Sequence, residues 1–412
     1  MTDTLQQHRQ KGARFIALDH LEAALAEYEQ LVKAAPDDGT GRQQVAELLE
    51  RLGRKTQAVA AYEEAALAWA RGGQLLRAIV VCKALLRLDP GHTRTQRSLA
   101  DLFGWRVKPG VRSPASLTAM AEFELLPEGA GPAAGMPVVP LFSQLGREPF
   151  AAVLEAMEVR THPAKHSVVV EGELGASMFA LVEGTLEVVR HFQDGTRRKV
   201  GELAEGAFFG ELALISEGPR LASVVAAGPV VLLEFTRAKL AELVRRHPGV
   251  GQVVQAFYRE RMVENLLRNN PAFSLLKPEQ KQAVVREFTL KAVAEGEVLL
   301  KQGQQGEAFY LLLRGCCTPY HVKPDGREQA YPELREGAVF GEISLLLGKP
   351  VTATVRANTA SVVLRLDRAA FERLILGLPG IRGALMKVGT ERLQRTAKLL
   401  SGREVHDGDL RV

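Results

Sequence analysis

The chain has 412 residues, of which 46% are hydrophobic and 25% charged, with a formal net charge of +5. That length allows roughly two to four domains with packed cores. So small a charge argues against a dedicated nucleic-acid binder, which gathers basic residues on one face. Three cysteines, Cys82, Cys316 and Cys317, are too few for a disulfide framework and read as a reducing, cytoplasmic setting. The opening MTDTLQQHRQ has no apolar core for a signal peptide, and the longest apolar stretch, Leu221 to Phe235, is short and broken at Gly228-Pro229. The expectation is a soluble protein with no membrane and no nucleic-acid partner.

In chain order, residues 1–105 come first and read as helix throughout, with breaks at Pro36-Asp37-Asp38-Gly39, Gly53, Gly72-Gly73 and Pro90-Gly91. Ala24 and Tyr28 recur as Ala58 and Tyr62, and the phrases LVKAAPDD and ALLRLDPGH resemble the ends of tetratricopeptide repeats, whose period is about 34. A tetratricopeptide-like domain is expected, with a plain antiparallel bundle as the alternative, and it is the candidate surface for a protein partner. Residues 106–140 carry prolines 109, 114, 127, 132, 137 and 140 among Gly and Ala, which predicts a flexible linker.

From Leu141 onward the chain repeats itself. A shift of 131 residues carries Phe142, Ser143 and Leu145 onto Phe273, Ser274 and Leu276 without a gap. The same shift carries Gly172, Gly175 and Gly184 onto Gly303, Gly306 and Gly315, and Phe209-Gly210-Glu211 onto Phe340-Gly341-Glu342. Glycines kept in register mark shared backbone turns. Within each copy, short β-branched runs such as SVVVEG, MFALVEG, TLEVVRHF and VVLLEF read as strands. Helical spacing follows each set, in AKLAELVRRH and in RAAFERLIL. The fold class expected is multidomain: an all-α helical repeat region, then two β-barrel, jelly-roll-like modules each closed by C-terminal helices. The modules span 141–270 and 271–400, with a tail at 401–412.

The stretch FGELALISEGPRLASV, Phe209 to Val224, places an acid and a base around a short apolar turn. A helix start offers backbone N–H groups to an anion. Gly210 lets the backbone approach a ligand closely, Arg220 forks onto phosphate oxygens, and Glu211 accepts from a hydroxyl. Phosphate, hydroxyl and an apolar wall together describe a nucleotide. The stretch resembles the phosphate-binding cassette of cyclic-nucleotide-binding domains, and most closely that of regulatory subunits of cyclic-AMP-dependent protein kinase, which also carry two such domains. The resemblance implies that Glu211 takes the ribose 2′-hydroxyl and Arg220 the cyclic phosphate. Gly210, Leu212, Ala222 and Ser223 then add backbone or hydroxyl contacts. Relatives preferring cyclic GMP often bear a hydroxyl just after the Arg; here Leu221 stands there, which favours cyclic AMP.

The second cassette, FGEISLLLGKPVTATV, keeps Gly341, Glu342 and Thr354 but has Val351 at the Arg position. An unpaired phosphate in such a pocket is costly. Arg356, at odd spacing on an alternating strand, would face the other way. This degenerate site is expected not to bind a cyclic nucleotide.

Weaker signals point to ordinary roles. His162 and His166 are separated by Pro163, which argues against a metal pair. Arg197-Arg198-Lys199 reads as a solvated hairpin edge, while Phe257, Tyr258 and Cys316-Cys317 read as packing. No catalytic triad, P-loop or kinase motif appears, so no enzyme activity, metal or cofactor is expected. The roughly thirty residues that follow the second barrel's last short helix are too few for a helix-turn-helix domain. The linker's VRSPAS lacks the paired arginines of a kinase pseudosubstrate. The function expected is a cyclic-nucleotide sensor signalling to a protein partner through residues 1–105; the alternative is a constitutive scaffold in which both barrels only pack.

Overall fold

The computed structural model describes residues 2–104, 106–107, 130–131, 136–137, 139, 141–191, 195–215, 219–220, 222–257, 277–323, 325–335, 337–377, 382–383, 385–387 and 390. The chain divides into two compact units, residues 1–254 and 255–412.

The first unit opens with six helices: α1 Thr2–Ala17, α2 Leu21–Ala34, α3 Gly39–Arg51, α4 Lys55–Arg71, α5 Leu75–Leu88 and α6 Arg94–Phe103. From α1 to α5 each packs against the next in chain order. Ala24 and Ala58 are fully buried, and the rings of Tyr28 and Tyr62 lie in the same core as Leu31, Ala46 and Leu85. A Cβ on Gly12 would lie 2.6 Å from the Tyr28 ring, so only glycine lets α1 approach α2 this closely. Beyond α6, β1 Arg106–Val107 pairs with β2 Ala130–Gly131. Of the rest of the Pro-rich segment only residues 136–137 and 139 are described.

After α7 (Arg147–Ala156) come β3 Glu158–His162, β4 Ser167–Val169, β5 Ser177–Glu183, β6 Leu186–His191, β7 Arg197–Leu203 and β8 Phe208–Phe209. The single turn α8 (Leu212–Ile215), β9 Ser223–Ala226, β10 Val230–Thr236 and α9 Arg237–Arg246 complete the module. The strands pair antiparallel into two sheets, ordered β3-β10-β5-β8 and β4-β9-β6-β7. The expected barrel is thus a pair of four-stranded sheets with jelly-roll pairing, with Phe179, Leu181, Leu186, Phe209, Val224 and Leu232 filling the space between them. Strand β5 is buried along almost its whole length, as its unbroken apolar run requires. Strand β7 is the exposed edge: Arg197, Arg198 and Lys199 face water, and Lys199 pairs with Glu187 and Glu202, each at 2.8 Å.

Helices α5 and α6 lie against this module. Arg77 of α5 donates to Glu183 and Glu205, Lys83 donates to the carbonyls of Leu154 and Glu155 at the end of α7, and Arg147 pairs with Asp101. A further helix, α10 (248–257), follows α9, with Val250, Val254 and Phe257 buried. Residues 258–276, Tyr258 among them, lie outside the described residues.

In the second unit α11 Pro278–Glu287 precedes β11 Thr289–Val293, β12 Val298–Leu300, β13 Ala308–Arg314, β14 Cys317–Val322, β15 Glu328–Ala330 and β16 Val339–Phe340. Then come α12 Glu342–Leu347, β17 Thr354–Ala357, β18 Ser361–Asp367 and α13 Arg368–Phe371, which runs on into a π-helical turn Glu372–Leu376. The sheets are ordered β11-β18-β13-β16 and β12-β17-β14-β15, the same pairing as before. Strand for strand, except at the shorter β15, the bounds are those of the first module plus 131. Cys317 opens β14 fully buried, and burial pushes its thiol up to about 11; Cys316 stands just before the strand.

Candidate functional site

Strand β8 ends at Phe209, whose ring stacks on Phe179 of β5 at 5.2 Å. Gly210 follows with φ +74°, in the left-handed region that favours glycine, and turns the chain into α8. Glu211 is buried at 8% exposure. Residues 216–218 and Leu221 lie outside the described residues, as does the side chain of Leu212. Because α8 is a single turn, its dipole adds little to anion binding; backbone N–H groups and Arg220 are left as the donors.

Arg220 is fixed by its own backbone first: its N–H donates to the Glu173 carbonyl at 2.7 Å and its carbonyl accepts from Gly172 N at 2.9 Å. Its guanidinium then reaches across the site, donating to the carbonyls of Gly210 at 3.0 Å and Ser177 at 2.7 Å. The cation lies 6.0 Å from the Phe179 ring centroid, a contact that favours a guanidinium over an ammonium. Two glycines make the room. A Cβ on Gly175 would sit 2.7 Å from the guanidinium carbon, and one on Gly210 would sit 2.6 Å from Nη1. Arg237 closes the floor, donating to the carbonyls of Ala213 and Gly175 at 2.7 and 2.9 Å.

The surrounding acids are compensated. Burial pushes Glu234 up, but hydrogen bonds from Ser177 and Arg160, with the charges of Arg160 and Arg220, more than offset it and hold the carboxyl below its usual range. Glu171 behaves alike: burial raises it, and the His191 backbone and ring bring it below. Ser223, 1% exposed on β9, accepts from the Glu171 N–H at 3.0 Å, which leaves its O–H able to donate. Ala222 stands half-buried between Leu221 and this strand. The structure therefore gathers Gly210, Glu211, Arg220 and Ser223 around one turn, and adds Gly175, the Ser177 carbonyl and Phe179, which motif reading had not singled out.

In the second module Val351 occupies the arginine's place: Gly303 N donates to its carbonyl at 2.9 Å and its N–H donates to Gln304 at 2.8 Å, the ladder seen at Arg220. Its side chain is 6% exposed in the core with Leu300, Tyr310 and Phe340. Gly341 keeps its left-handed turn at φ +86°, and Glu342 is 1% exposed. Thr354 accepts from Gln302 N at 3.1 Å, as Ser223 does from Glu171. Arg356 pairs with Glu328 at 3.0 Å and lies 5.0 Å from the Tyr320 ring centroid, on the outer face of its strand.

His162 and His166 stack their rings at 4.3 Å, and no group of three or more His, Cys, Asp or Glu is placed to hold a metal among the described residues. A cleft of about 440 Å³ between α5, α7 and β3 is lined by Lys83, Arg87, Glu155, Glu158 and Lys239. Two carboxylates, Glu155 and Glu158, stand among its cations, so the cleft presents no assembled anion site. No helix among the described residues is long and apolar enough to cross a membrane.

Residues 159–247 and 290–377 each match the family model of the cyclic nucleotide-binding domain. The chain is 33% identical over 243 residues to the cAMP-dependent protein kinase regulatory subunit of Emericella nidulans, covering 57% of this chain and 57% of that one. It is 30% identical over 235 residues to that of Blastocladiella emersonii, covering 57% and 56%. The regulatory domain of Toxoplasma gondii PKA in a co-crystal with cAMP aligns at 24% identity over 61% of this chain and 92% of that chain, with a TM-score of 0.31. The matched region spans a little over half the length of these curated relatives. The chain thus carries two cyclic nucleotide-binding domains in tandem and is homologous to cAMP-dependent protein kinase regulatory subunits.

Proposed function

We propose that the first module is the receptor for a cyclic mononucleotide, cyclic AMP ahead of cyclic GMP, and that the chain is a regulatory rather than an enzymatic protein. The observation that carries this reading is the Arg220 guanidinium held between the Gly210 and Ser177 carbonyls, next to buried Glu211. Arg237 has a counterpart in Arg368 of the second module and reads as structural, whereas Arg220 has none there, Val351 standing in its place. In this reading Arg220 pairs with the cyclic phosphate and Glu211 accepts from the ribose 2′-hydroxyl. The backbone of Gly210, Leu212 and Ala222 and the Ser223 hydroxyl add the remaining contacts. The names of the curated relatives, and Leu221 in place of a hydroxyl residue, favour cyclic AMP. Sensing falls to residues 141–270. The helical residues 1–105 are a tetratricopeptide-like partner surface, and residues 271–400 are a module without a ligand, kept for coupling. The partner class implied by the relatives is a protein kinase catalytic chain.

Calorimetric titration of the full chain with cyclic AMP tests this. One equivalent should bind, and Arg220→Ala should cost roughly 2–5 kcal/mol, about thirty-fold to a few thousand-fold in affinity. Unchanged affinity in Arg220→Ala would remove the assignment, and cyclic GMP winning a competition would reverse the choice of base.

A further inference from the structure

The 131-residue register pairs Ala213 with Ser344 as well as Arg220 with Val351, and the two exchanges meet at one atom. In the first module the carbonyl of Gly210 accepts from Arg220 Nη1 at 3.0 Å. In the second, the equivalent carbonyl of Gly341 accepts from the Ser344 hydroxyl at 3.0 Å. The hydroxyl also stands where the guanidinium would pass: a Cβ on Gly306 would collide with Ser344 Oγ, whereas a Cβ on Gly175 would meet the Arg220 guanidinium and the Ala213 Cβ. Ser344 is 3% exposed, so its hydroxyl meets that carbonyl from within the packed turn.

The rest of the cradle is retained. Gly306 stands for Gly175, and the Ala308 carbonyl for that of Ser177, 2.5 Å from where a Cβ on Gly341 would be. Tyr310 stacks on Phe340 at 5.1 Å as Phe179 does on Phe209. Arg368 holds the Gly306 carbonyl at 2.9 and 2.6 Å, as Arg237 holds that of Gly175. We infer that the second module is a cyclic-nucleotide site closed by a paired exchange, Val351 and Ser344 together, and that Ser344 determines specificity as much as Val351 does. In the first module the Gly210 carbonyl accepts from Ala213 N at 3.1 Å as well as from Arg220, so removing the arginine alone would have taken away its charged donor; in the second the serine supplies a side-chain donor in its place. Restoring the arginine alone leaves it competing with that serine for the same oxygen.

The inference rests on Arg220 being the phosphate partner in the first module, and the experiment separates the two claims. Cyclic AMP is titrated into the full chain carrying Arg220→Ala, then into the same protein with Val351→Arg, and with Val351→Arg plus Ser344→Ala. If Arg220→Ala alone still binds like the native chain, the function proposed for the first module fails on its own. With that site silenced, the double exchange should bind one equivalent, at least about tenfold more tightly than Val351→Arg alone, the size expected for one charge-assisted hydrogen bond. Equal binding by both, or none by a double variant with the parent's circular dichroism and unfolding midpoint, overturns the inference. Should the double variant not fold, the reciprocal exchange reads the same claim. Ala213→Ser with Arg220 kept should weaken binding by about tenfold, and unchanged affinity there overturns it.

Discussion

Arg77 on α5 reaches the Glu205 carboxylate at 3.0 Å, and Glu205 in turn accepts from the backbone N–H of Gly184 at 3.2 Å. Glu183 completes the clamp at 2.9 Å, and Trp69 lies 4.9 Å under the guanidinium. The loop that Glu205 begins runs through Gly206 and Ala207 into β8 and then Gly210, so the helical region grips the segment that opens the cassette. The sequence predicts a flexible linker at 106–140, and the contacts of Arg77 describe a helical region docked on the module; a ligand bound as proposed would have a short physical route to it.

Arg77→Ala should therefore loosen docking without removing the nucleotide site. Both carboxylates are more than a third exposed, so the loss is modest, about 1 kcal/mol with the aromatic contact included. A double-mutant cycle with Glu205→Ala should return a coupling of about 0.5–1 kcal/mol, and amide exchange should quicken at Gly184 and along α5. Exchange unchanged at both places would mean the clamp holds nothing.

Ser223 was expected to touch the ligand, yet its hydroxyl also carries a structural bond, from the Glu171 N–H at 3.0 Å. Ser223→Ala leaves that part-buried donor without its hydroxyl partner. The cost should be about 1–3 kcal/mol of stability, in the absence of any nucleotide. Thr354→Val should cost a similar amount through Gln302 N. A denaturant midpoint that moves only when cyclic AMP is present would assign Ser223 to the ligand alone.

Glu47 in α3 predicts a pH dependence. Burial raises its pKa above 4.5, Gln43 and Gln44 pull it back in part, and the nearby charges of Glu183 and Glu50 raise it further. The folded chain thus holds this proton more tightly than the unfolded one. Stability contributed by the protonated form is lost as pH climbs from about 4.5 through the folded value, and is flat above it. Glu47→Gln should accordingly be more stable than the native chain at pH 7, with the difference closing as pH falls towards 4.5. Unfolding midpoints at the two pH values decide it; a constant difference would point to packing instead.

The module architecture was legible because it is written in backbone constraints that a sequence displays. Gly172, Gly184, Gly206 and Gly210 and their partners Gly303, Gly315, Gly337 and Gly341 all have positive φ, so one register predicts both copies. Even the exception fits: Lys165 takes φ +66° where the second copy has Gly296. The Glu–Arg motif was legible for the same reason, since its turn needs Gly210. Ser344 was hidden because nothing in a sequence tells which carbonyl a hydroxyl will face. The Arg77 clamp was hidden because it joins residues more than a hundred positions apart, with no periodicity to announce it.

Gly210 and Gly172 separate backbone strain from site chemistry. Both have positive φ, +74° and +87°, where an alanine is strained by about 1–2 kcal/mol. Around Gly172 nothing lies within 4 Å of a new Cβ, so Gly172→Ala should lower the unfolding midpoint and leave nucleotide affinity close to native. At Gly210 the same methyl would press on Arg220 Nη1 at 2.6 Å and on the Ser177 carbonyl at 3.1 Å. The guanidinium must then leave one or both of its carbonyl anchors. Gly210→Ala should add to the same strain a loss of cyclic-AMP affinity of about tenfold or more, because a charged donor displaced from its place forfeits a charge-assisted bond. Denaturation gives the first quantity and calorimetry the second. If both alanines reduce affinity equally, the effect comes from a softened fold, and the placement of Arg220 by Gly210 is not what prepares the site.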